Sequence, residues 1–425
     1  MNVYKNPLKQ DWANIVRRPA LDTLSLQSKV RLVLDDVKHN GDSALKKYAQ
    51  QFDGLALDNI AVTGQEVAEA MSQLPSELKQ AIETAAKNIR KFHERQLQPA
   101  EVIETMPGVL CWRKSVAIEK VGIYIPGGTA PLFSTVLMLA IPAAIAGCTQ
   151  IVLCTPPQKN GKVHPAVLYS AALCGVTHVY KSGGAQAIAA MAYGTETVPQ
   201  VYKIFGPGNQ YVTCAKQLVQ LDGLAIDMPA GPSEVCVLAD DTANSAFVAA
   251  DLLSQAEHGT DSQVLLVTTS EKLAAEVEAE VAAQLALLPR KDIASGALQN
   301  SKVVVFKTLD EAIELVNSYA AEHLIIACAD AEFIAEQIVN AGSVFLGNYS
   351  PESAGDYASG TNHTLPTNGF AKTYSGVSVD SFVKKITYQK ISQAGLQNLG
   401  KTVELLAEFE GLDAHKNAVS IRLRL

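Results

Sequence analysis

The order of apolar and polar residues predicts two series of alternating strands and helices. The first 120 residues favour helices, two of them split at Asn40-Gly41. From about residue 121, short apolar runs such as VGIYIPGG and QIVLCTPP alternate with helical stretches, and a second series runs from EVCVLAD to about residue 346. Strands and helices that alternate at this length form parallel sheets. The pattern therefore predicts an α/β fold with two Rossmann-like units.

Three other segments depart from this alternation. Residues 5–19 predict a short amphipathic helix. After residue 346, the stretch NYSPESAGDYASGTNHTLPTNGFAKTYSG predicts a long irregular loop, and a long loop inside a compact protein is usually functional. The segment that follows predicts helices and a short terminal strand.

Composition narrows the class of protein. The chain has 425 residues, of which 48% are hydrophobic and 18% charged, so it exceeds one ordinary domain and can bury a large core. Its net charge of −8 argues against nonspecific binding of nucleic acid. The seven cysteines are scattered, mostly in apolar runs, which favours reduced thiols in a cytoplasmic protein.

One uncharged stretch, residues 121–158, raises the question of a membrane span. Pro131, Pro142 and Gly147 interrupt it, and strand-and-turn segments lie at both of its ends. Parallel strands that are covered on both faces give the same hydropathy. We therefore predict a buried α/β core here and no membrane span.

Three glycine-rich junctions between a strand and a helix could bind a nucleotide: YIPGGTAP, SGGAQA and GPGNQY. Glycines allow the backbone to approach a ligand closely, and the helix that follows offers free N–H groups to a phosphate. None of the three matches a dinucleotide fingerprint or a P-loop, and such junctions also serve simply as tight turns. Their occurrence together in one α/β unit favours a nucleotide site.

Two pairs of residues at the ends of predicted helices could carry chemistry. Gln255 and His258 share a helix face and could bind a metal, although on spacing alone a C-terminal cap is the favoured interpretation of His258. Glu322 and His323 directly precede a buried strand and suit general acid–base work. For this second pair, structural and functional interpretations are evenly balanced.

The remaining candidates are isolated. Asp356 lies in the glycine-rich loop and could complete a metal set with Gln255 and His258. His415 stands alone near the C-terminus and would go unnoticed by itself. The histidines in polar contexts are predicted at the surface: His39, His93, His164 and His178.

Taken together, these segments resemble the histidinol dehydrogenase family, whose members use NAD and zinc. The segments that carry the resemblance run in the family's order: GIYIPGGTAPLFSTVLMLAIPA, GGAQAIAA, FGPGNQYV, DMPAGPSEV, SQAEHGTDSQ, AEHL and GDYASGTNHTLPT. The resemblance implies two incomplete Rossmann-like domains in an aldehyde-dehydrogenase-like architecture. It implies these bounds: an N-terminal helical element over 1–21, a discontinuous first domain over 22–122 and 235–376, an NAD domain over 123–234, and a C-terminal dimerisation element over 377–425.

The family's site residues carry over by position. The resemblance implies that Glu322 and His323 form the catalytic acid–base pair. It implies one zinc ion per subunit, bound by Gln255, His258, Asp356 and His415. The NAD contacts that it implies, one in each glycine-rich junction, are Tyr124, Gln186 and Asn209. The substrate contacts that it implies are Ser233, Gln255, His258, His323, Asp356, Glu410 and His415.

The activity that the resemblance implies is oxidation of L-histidinol to L-histidine through an aldehyde, with two NAD molecules reduced. His415 and Glu410 would come from the other subunit of a homodimer. Two other enzyme classes remain as alternatives: a zinc hydrolase, which would leave the three glycine-rich junctions unexplained, and an aldehyde dehydrogenase with a cysteine nucleophile, for which thiols in apolar runs are poorly suited. A non-catalytic binding module is a third alternative.

Overall fold

The structure is a computed structural model that describes residues 1–19, 23–127 and 131–424. Residues 128–130 of the junction YIPGGTAP lie outside the described residues, as do residues 20–22 at the predicted boundary of the N-terminal element and residue 425.

The strands and helices follow one another in the alternation that the sequence predicts. The strands are β1 Asn2–Lys5, β2 Val102–Met106, β3 Val109–Ala117, β4 Lys120–Tyr124, β5 Gln150–Thr155, β6 His178–Lys181, β7 Lys203–Phe205, β8 Ala225–Ile226, β9 Glu234–Ala239, β10 Gln263–Thr268, β11 Lys302–Val305, β12 His323–Ala327, β13 Ser343–Leu346 and β14 Val383–Ile391.

The helices are α1 Trp12–Ile15, α2 Thr23–Tyr48, α3 Gly64–Gln73, α4 Ser76–Glu94, α5 Phe133–Ala146, α6 Pro165–Leu173, α7 Gly184–Tyr193, α8 Gln210–Leu221, α9 Ser245–Ala256, α10 Glu271–Leu285, α11 Lys291–Gln299, α12 Leu309–Tyr319, α13 Ala331–Ala335, α14 Glu352–Tyr357, α15 Gln393–Phe409 and α16 Asp413–Leu423. The helix α2 is kinked at Gly41, whose φ of 49° and ψ of −129° are not helical. The predicted split at Asn40-Gly41 is thereby confirmed.

Two parallel sheets form the body of the molecule. One has six strands in the order β1-β11-β10-β9-β12-β13, and the other has five in the order β6-β5-β4-β7-β8. All strand pairs within both sheets are parallel. Helices cover both faces of each sheet, so the central strands are buried throughout. The predicted α/β class with parallel sheets is confirmed.

The five-stranded sheet also carries the helices that precede it in sequence. Leu34 of α2 packs in the core on one face of this sheet, and Ile89 of α4 packs in the core on the other face. The sequence analysis grouped residues 22–122 with 235–376. The apolar faces of α2 and α4, however, are buried on the helices of residues 123–234: α2 packs on α7 and α8, and α4 packs on α5. The domain bounds stay a prediction.

The N-terminus differs from the predicted helix over 5–19. Residues Asn2–Lys5 form the edge strand β1, which pairs with β11, and the helical part shrinks to a turn at Lys9–Asp11 and to α1. Trp12 of α1 is buried against Phe306, with ring centroids 5.4 Å apart. Pairing with a distant strand overrides the local helical pattern.

A third, antiparallel sheet joins the C-terminal segment to the middle of the chain. Its order is β14-β3-β2, and α15 and α16 follow it. The predicted order was wrong: the strand comes first, and the chain ends in helix α16. The predicted loop after residue 346 also contains a helix, α14. Its six residues are too few for a periodic pattern to reveal it.

His93 was predicted at the surface, and this prediction was wrong. It is fully buried at the end of α4, with Nδ1 2.8 Å from the carbonyl oxygen of Ile89. His39 and His178 are exposed as predicted. In the described part of the chain, no helix is long and apolar enough to cross a membrane.

Candidate active site

The predicted acid–base pair lies at the amino-terminal edge of the six-stranded sheet. Strands β9 and β12 are neighbours there, and they begin at Glu234 and His323. Helix α9 runs back towards this edge, so its last turn brings Gln255 to the same place. Helix α14 supplies Asp356 from beyond β13. Side chains that are far apart in sequence therefore meet because of the topology.

Glu234 connects the two residues of the pair through its backbone. Its N–H donates to Glu322 Oε2 at 2.9 Å, and its carbonyl oxygen accepts a hydrogen bond from His323 Nδ1 at 3.2 Å. The residue before it, Ser233, has Oγ 3.4 Å from His258 Nδ1. With Nδ1 occupied by a backbone carbonyl, His323 presents Nε2 as its free nitrogen.

Gln255 and Glu352 lie beside the pair and are both buried. With Gln255 Nε2 donating to Glu352 Oε1 at 2.8 Å, its Oε1 accepts from the N–H of Glu234 at 3.1 Å, and both ends of the amide are satisfied. Ser254 Oγ also donates to Glu352 Oε1, at 2.9 Å. Glu352 was missed by the sequence analysis. It lies four residues before Asp356 on α14, but the sequence predicts a loop there, so no sequence signal marked it.

The free nitrogen of His323 faces a carboxylate. His323 Nε2 lies 3.3 Å from Asp356 Oδ1, and Nδ1 lies 3.7 Å from Glu322 Oε2. Burial disfavours the imidazolium, but the charges of Glu322 and Asp356 outweigh burial and raise the pKa of His323. For Asp356, burial opposes ionisation, and the neighbouring histidines, His323 above all, still hold the pKa below its usual range.

The two buried glutamates behave in the opposite way. Desolvation by burial is the largest cause that raises the pKa of Glu322, and the same holds for Glu352. A carboxyl group with a raised pKa can take and return a proton near neutral pH, which is the requirement for a general base. The pKa of His258 is lowered, mainly by desolvation within this concave site. A neutral imidazole is the form that binds a metal.

The cluster holds more carboxylates than cations. Glu234, Glu322, Glu352 and Asp356 surround His323, and Glu234 alone among them pairs with an arginine, Arg18. Among the described residues, Glu352 Oε2 is buried with no hydrogen-bond partner, and His323 Nε2 and Asp356 Oδ1 face each other at 3.3 Å without good hydrogen-bond alignment. Buried acceptors without partners are costly unless a ligand uses them. The arrangement therefore suits a cationic ligand.

A cavity of about 1410 Å³ opens at the carboxyl-terminal edge of the five-stranded sheet. The three predicted NAD contacts all line it: Tyr124, Gln186 and Asn209. Tyr124 ends β4, and its hydroxyl accepts a hydrogen bond from the N–H of Gly184 at 3.1 Å. Burial raises the pKa of Tyr124 to about 12, so this hydroxyl stays protonated.

The junction GPGNQY, which leads to Asn209 at this cavity, needs a glycine at position 206 for a structural reason. Gly206 has a φ of 125°, and a Cβ there would lie 2.2 Å from the carbonyl oxygen of Tyr124. Asn209 caps helix α8, with Oδ1 accepting from the N–H groups of Tyr211 at 3.0 Å and Val212 at 3.2 Å. The carboxyl ends of parallel strands are the usual place for a nucleotide.

Comparisons with known proteins show the family to which this chain belongs. The model of the histidinol dehydrogenase family matches residues 16–423. A histidinol dehydrogenase of Bacteroides thetaiotaomicron is 61% identical over 423 residues, which cover 100% of this chain and 99% of that protein. One of Bacteroides fragilis is 62% identical over 423 residues, with the same coverage.

The chain belongs to the histidinol dehydrogenase family. The crystal structure of histidinol dehydrogenase from Elizabethkingia anophelis has a TM-score of 0.98 and 56% sequence identity to this chain, and the match covers 100% of this chain and 98% of that one. The resemblance read from the sequence motifs is confirmed, and the chain is an oxidoreductase of the histidinol dehydrogenase family.

Two residues implied by the histidinol dehydrogenase resemblance lie away from the cluster. Glu410 follows α15, and His415 lies on α16, both exposed. In the part of the chain that the structure describes, no hydrogen bond or ion pair joins them to Asp356 or His258. The helices around them expose apolar side chains: Leu405, Leu406, Phe409, Leu412 and Ile421.

A zinc site of the kind implied for the histidinol dehydrogenase family is therefore incomplete in one chain. Across residues 1–19, 23–127 and 131–424, no group of three or more His, Cys, Asp or Glu side chains could hold a metal ion. His258 and Asp356 are suitable donors, and Asp356 Oδ1 is buried without a well-aligned hydrogen bond. The residues present fit half of a nitrogen–oxygen metal site.

Proposed function

We propose that the protein oxidises L-histidinol to L-histidine through L-histidinaldehyde, reducing two NAD, as the final step of histidine biosynthesis. Membership in the family supports this activity. The observation that carries the proposal is the buried pair Glu322–His323, held on the backbone of Glu234 with His323 Nε2 facing Asp356. Both required groups, a base for a hydroxyl and a base for water, are thereby next to one another.

His323 is the base for the alcohol in this proposal. Its Nδ1–H stays on the carbonyl oxygen of Glu234, so Nε2 takes the hydroxyl proton as hydride leaves the carbinol carbon for the nicotinamide. Alcohol and NAD⁺ become aldehyde, NADH and a proton. A cation held beside Asp356 would offset the carboxylates that raise the pKa of His323, and it would thereby favour release of that proton.

Glu322 is the base for the aldehyde step. Water adds to the aldehyde carbon as Glu322 accepts one of its protons, and the hydrate that forms then loses hydride to a second NAD⁺. Aldehyde, water and NAD⁺ become carboxylic acid, NADH and a proton. Burial keeps the pKa of Glu322 raised, so that it can accept a proton near neutral pH.

We propose that zinc is held by Gln255, His258 and Asp356 together with His415 of a second subunit. When bound, zinc would orient the substrate by its nitrogens. Glu352 holds the NH₂ group of Gln255, so the amide oxygen is the atom of this side chain that would bind the metal, in place of the N–H of Glu234. The excess of carboxylates over cations around His323 supports binding of a divalent ion and of the substrate's ammonium group.

We propose a homodimer, because a second subunit would bring His415 to the metal ligands of the first. Phe409 is 89% exposed and Leu406 61% exposed on the helix before His415, and large apolar side chains that exposed favour an interface. In this proposal the partner covers these side chains and contributes Glu410 and His415 to the substrate and metal sites.

We further propose that the cavity beside Tyr124 binds NAD.

The cysteine-nucleophile alternative has little support. All seven cysteines are free, and burial raises the pKa of the Cys148, Cys174 and Cys328 thiols to about 12. A thiol with such a pKa is almost entirely protonated at neutral pH and is a poor nucleophile. Free, buried thiols also agree with the predicted cytoplasmic location.

The direct test is NADH formation by zinc-loaded protein supplied with L-histidinol and NAD. We expect steady NADH formation with L-histidinol and none with a simple primary alcohol of similar size. Absence of NADH formation with L-histidinol would contradict the proposal.

The shared site is tested by mixing two inactive variants. We expect His258→Asn and His415→Asn to be inactive alone, since each removes a metal ligand. After subunit exchange, half of the dimers are mixed and each mixed dimer has one intact site, so about a quarter of the wild-type activity returns. No recovery in a mixture shown to exchange subunits would mean that both residues act within one chain.

A further inference from the structure

Arg18 lies in the N-terminal segment, outside any helix or strand, yet its side chain is only 17% exposed. Its guanidinium group binds both carboxylate oxygens of Glu234, with Nη2 2.8 Å from Oε2. Nη2 also donates to the carbonyl oxygen of Tyr319 at 2.8 Å, and the guanidinium carbon lies 4.1 Å from the centre of the Tyr319 ring. All of these contacts are with residues more than two hundred positions away in sequence.

Glu234, the main partner of Arg18, is in contact with the candidate active site through its backbone. Its N–H lies 2.9 Å from Glu322 Oε2 and 3.1 Å from the amide oxygen of Gln255, and its carbonyl oxygen lies 3.2 Å from His323 Nδ1. The side chain of Glu234 is fixed further by the N–H of Asn368, at 2.7 Å. A change in the orientation of Glu234 would therefore shift several of these side chains together.

The second contact of Arg18 acts on the neighbouring strand. Tyr319 ends α12, and Ala320 after it has a φ of 54°, in the left-handed region that a residue with a Cβ rarely adopts. Glu322 follows two residues later and leads into β12. Because Arg18 holds the carbonyl of Tyr319, it fixes the start of this strained connection. Arg18 thus holds the entry to β9 and the entry to β12 at once.

We infer that Arg18 is a positioning residue, which sets the relative placement of Glu322 and His323 through Glu234 and Tyr319. The inference rests on the proposed function of that pair. Stability alone does not require this arrangement, because well-packed apolar residues replace a buried ion pair at little or no cost. A planar, two-pronged arginine specifies orientation, which lysine, with a single charged nitrogen, cannot reproduce.

The test measures turnover and stability in a small set of variants. Arg18→Met alone leaves the buried carboxylate of Glu234 without its cation, so a loss of activity in this variant would not distinguish positioning from loss of stability. The double variant Arg18→Met with Glu234→Gln removes both charges and keeps the backbone of residue 234. Arg18→Lys keeps the positive charge but loses the pair of N–H donors that binds both oxygens of Glu234. Arg31→Met is the matched control, because Arg31 pairs with Asp222 at 2.8 Å on the surface.

The expected result is a loss of kcat without loss of fold. In the double variant, the melting temperature and the KM values for L-histidinol and NAD stay near those of the wild type, while kcat falls by about 10- to 100-fold. Arg18→Lys shows a fall in the same direction, and Arg31→Met shows none. A folded double variant, or a folded Arg18→Lys, with wild-type kcat would overturn the inference. Wild-type protein that forms no NADH would instead overturn the proposed function.

Discussion

The two parallel sheets present their candidate sites at opposite ends of their strands. The cavity on the five-stranded sheet lies at the carboxyl ends, between glycine-rich turns, and is lined by residues that make ordinary structural hydrogen bonds. The cluster on the six-stranded sheet lies at the amino ends and is a set of buried, mutually coupled charges. The first site is an open cavity, and the second is a cluster of buried ionisable groups whose pKa values are shifted.

If the proposed function holds, nucleotide binding and proton transfer are divided between the two sheets of one chain. A nucleotide needs backbone N–H groups and room, and in our proposal the cavity beside Tyr124, Gln186 and Asn209 would supply both. Proton transfer needs pKa values moved from their usual range, which requires burial and close neighbours. A parallel sheet has an amino-terminal edge and a carboxyl-terminal edge. The cavity lies at the carboxyl-terminal edge of the five-stranded sheet, and the acid–base cluster lies at the amino-terminal edge of the six-stranded sheet.

The largest effect is expected from a substitution of Glu322 in the acid–base cluster. In Glu322→Gln, oxidation of L-histidinaldehyde is expected to fall by about 10²- to 10⁴-fold, because no base remains for water. Oxidation of L-histidinol is expected to survive better, since His323 serves that step. Separate rate measurements with each substrate check this division. Equal loss of both steps would contradict it, and Glu276→Gln on the surface of α10 serves as control.

Metal removal is expected to affect the acid–base cluster and to leave the cavity on the five-stranded sheet unchanged. After chelation, NADH formation is expected to fall by at least about 100-fold, whereas NAD binding measured by calorimetry stays unchanged. Zinc ions are expected to restore activity and magnesium ions are not, because imidazole donors favour zinc. Full activity in protein shown by metal analysis to be free of zinc would refute the metal assignment.

A smaller effect is expected from a substitution in the cavity that we propose to bind NAD. Tyr124→Phe removes the hydroxyl that accepts from the N–H of Gly184. Loss of one such hydrogen bond is expected to raise the KM for NAD by about 2- to 10-fold with little change in kcat. Steady-state kinetics at saturating L-histidinol measure it. A fall in kcat at unchanged KM would place Tyr124 in the chemistry rather than in binding.

The smallest expected effect concerns Asp251 on α9, the helix that carries Gln255 and ends two residues before His258. Burial raises its pKa to about 7, so the folded protein favours the protonated form. The stability that it contributes is complete below pH 4 and is lost as the pH rises through 7. Asp251→Asn is expected to raise the melting temperature by about 1–3 °C at pH 8 and to change nothing at pH 4. A rise in the melting temperature at pH 4 and none at pH 8 would contradict a raised pKa of Asp251.

Much of the fold could be predicted from the sequence. The central strands of both sheets are buried on both faces, so each stands out as an apolar run between helices. The edge strand β1 could not be predicted, because NVYK is short and pairs with residues about 300 positions away. The antiparallel strands β2 and β3 were missed for a similar reason: their exposed positions blur the alternation.

The candidate site was predictable only in part. Gln255, His258, Glu322 and His323 lie at helix ends beside strands, where a sequence pattern marks them. Glu352 and Arg18 carry no such mark, since a single glutamate or arginine is unremarkable until the fold buries it. Burial also explains the error on His93, whose polar neighbours in sequence face away from the core. Site residues near a motif are visible in sequence, and those that support them from distant segments are not.

The most direct test of the central claim is the stoichiometry of the complete reaction. A limiting amount of L-histidinol is converted by zinc-loaded protein with excess NAD, and the NADH and L-histidine formed are both measured. The account predicts two NADH and one L-histidine for each L-histidinol, with no free aldehyde released. One NADH for each L-histidinol, with aldehyde accumulating, would contradict the proposal that Glu322 and His323 carry out both steps at one site.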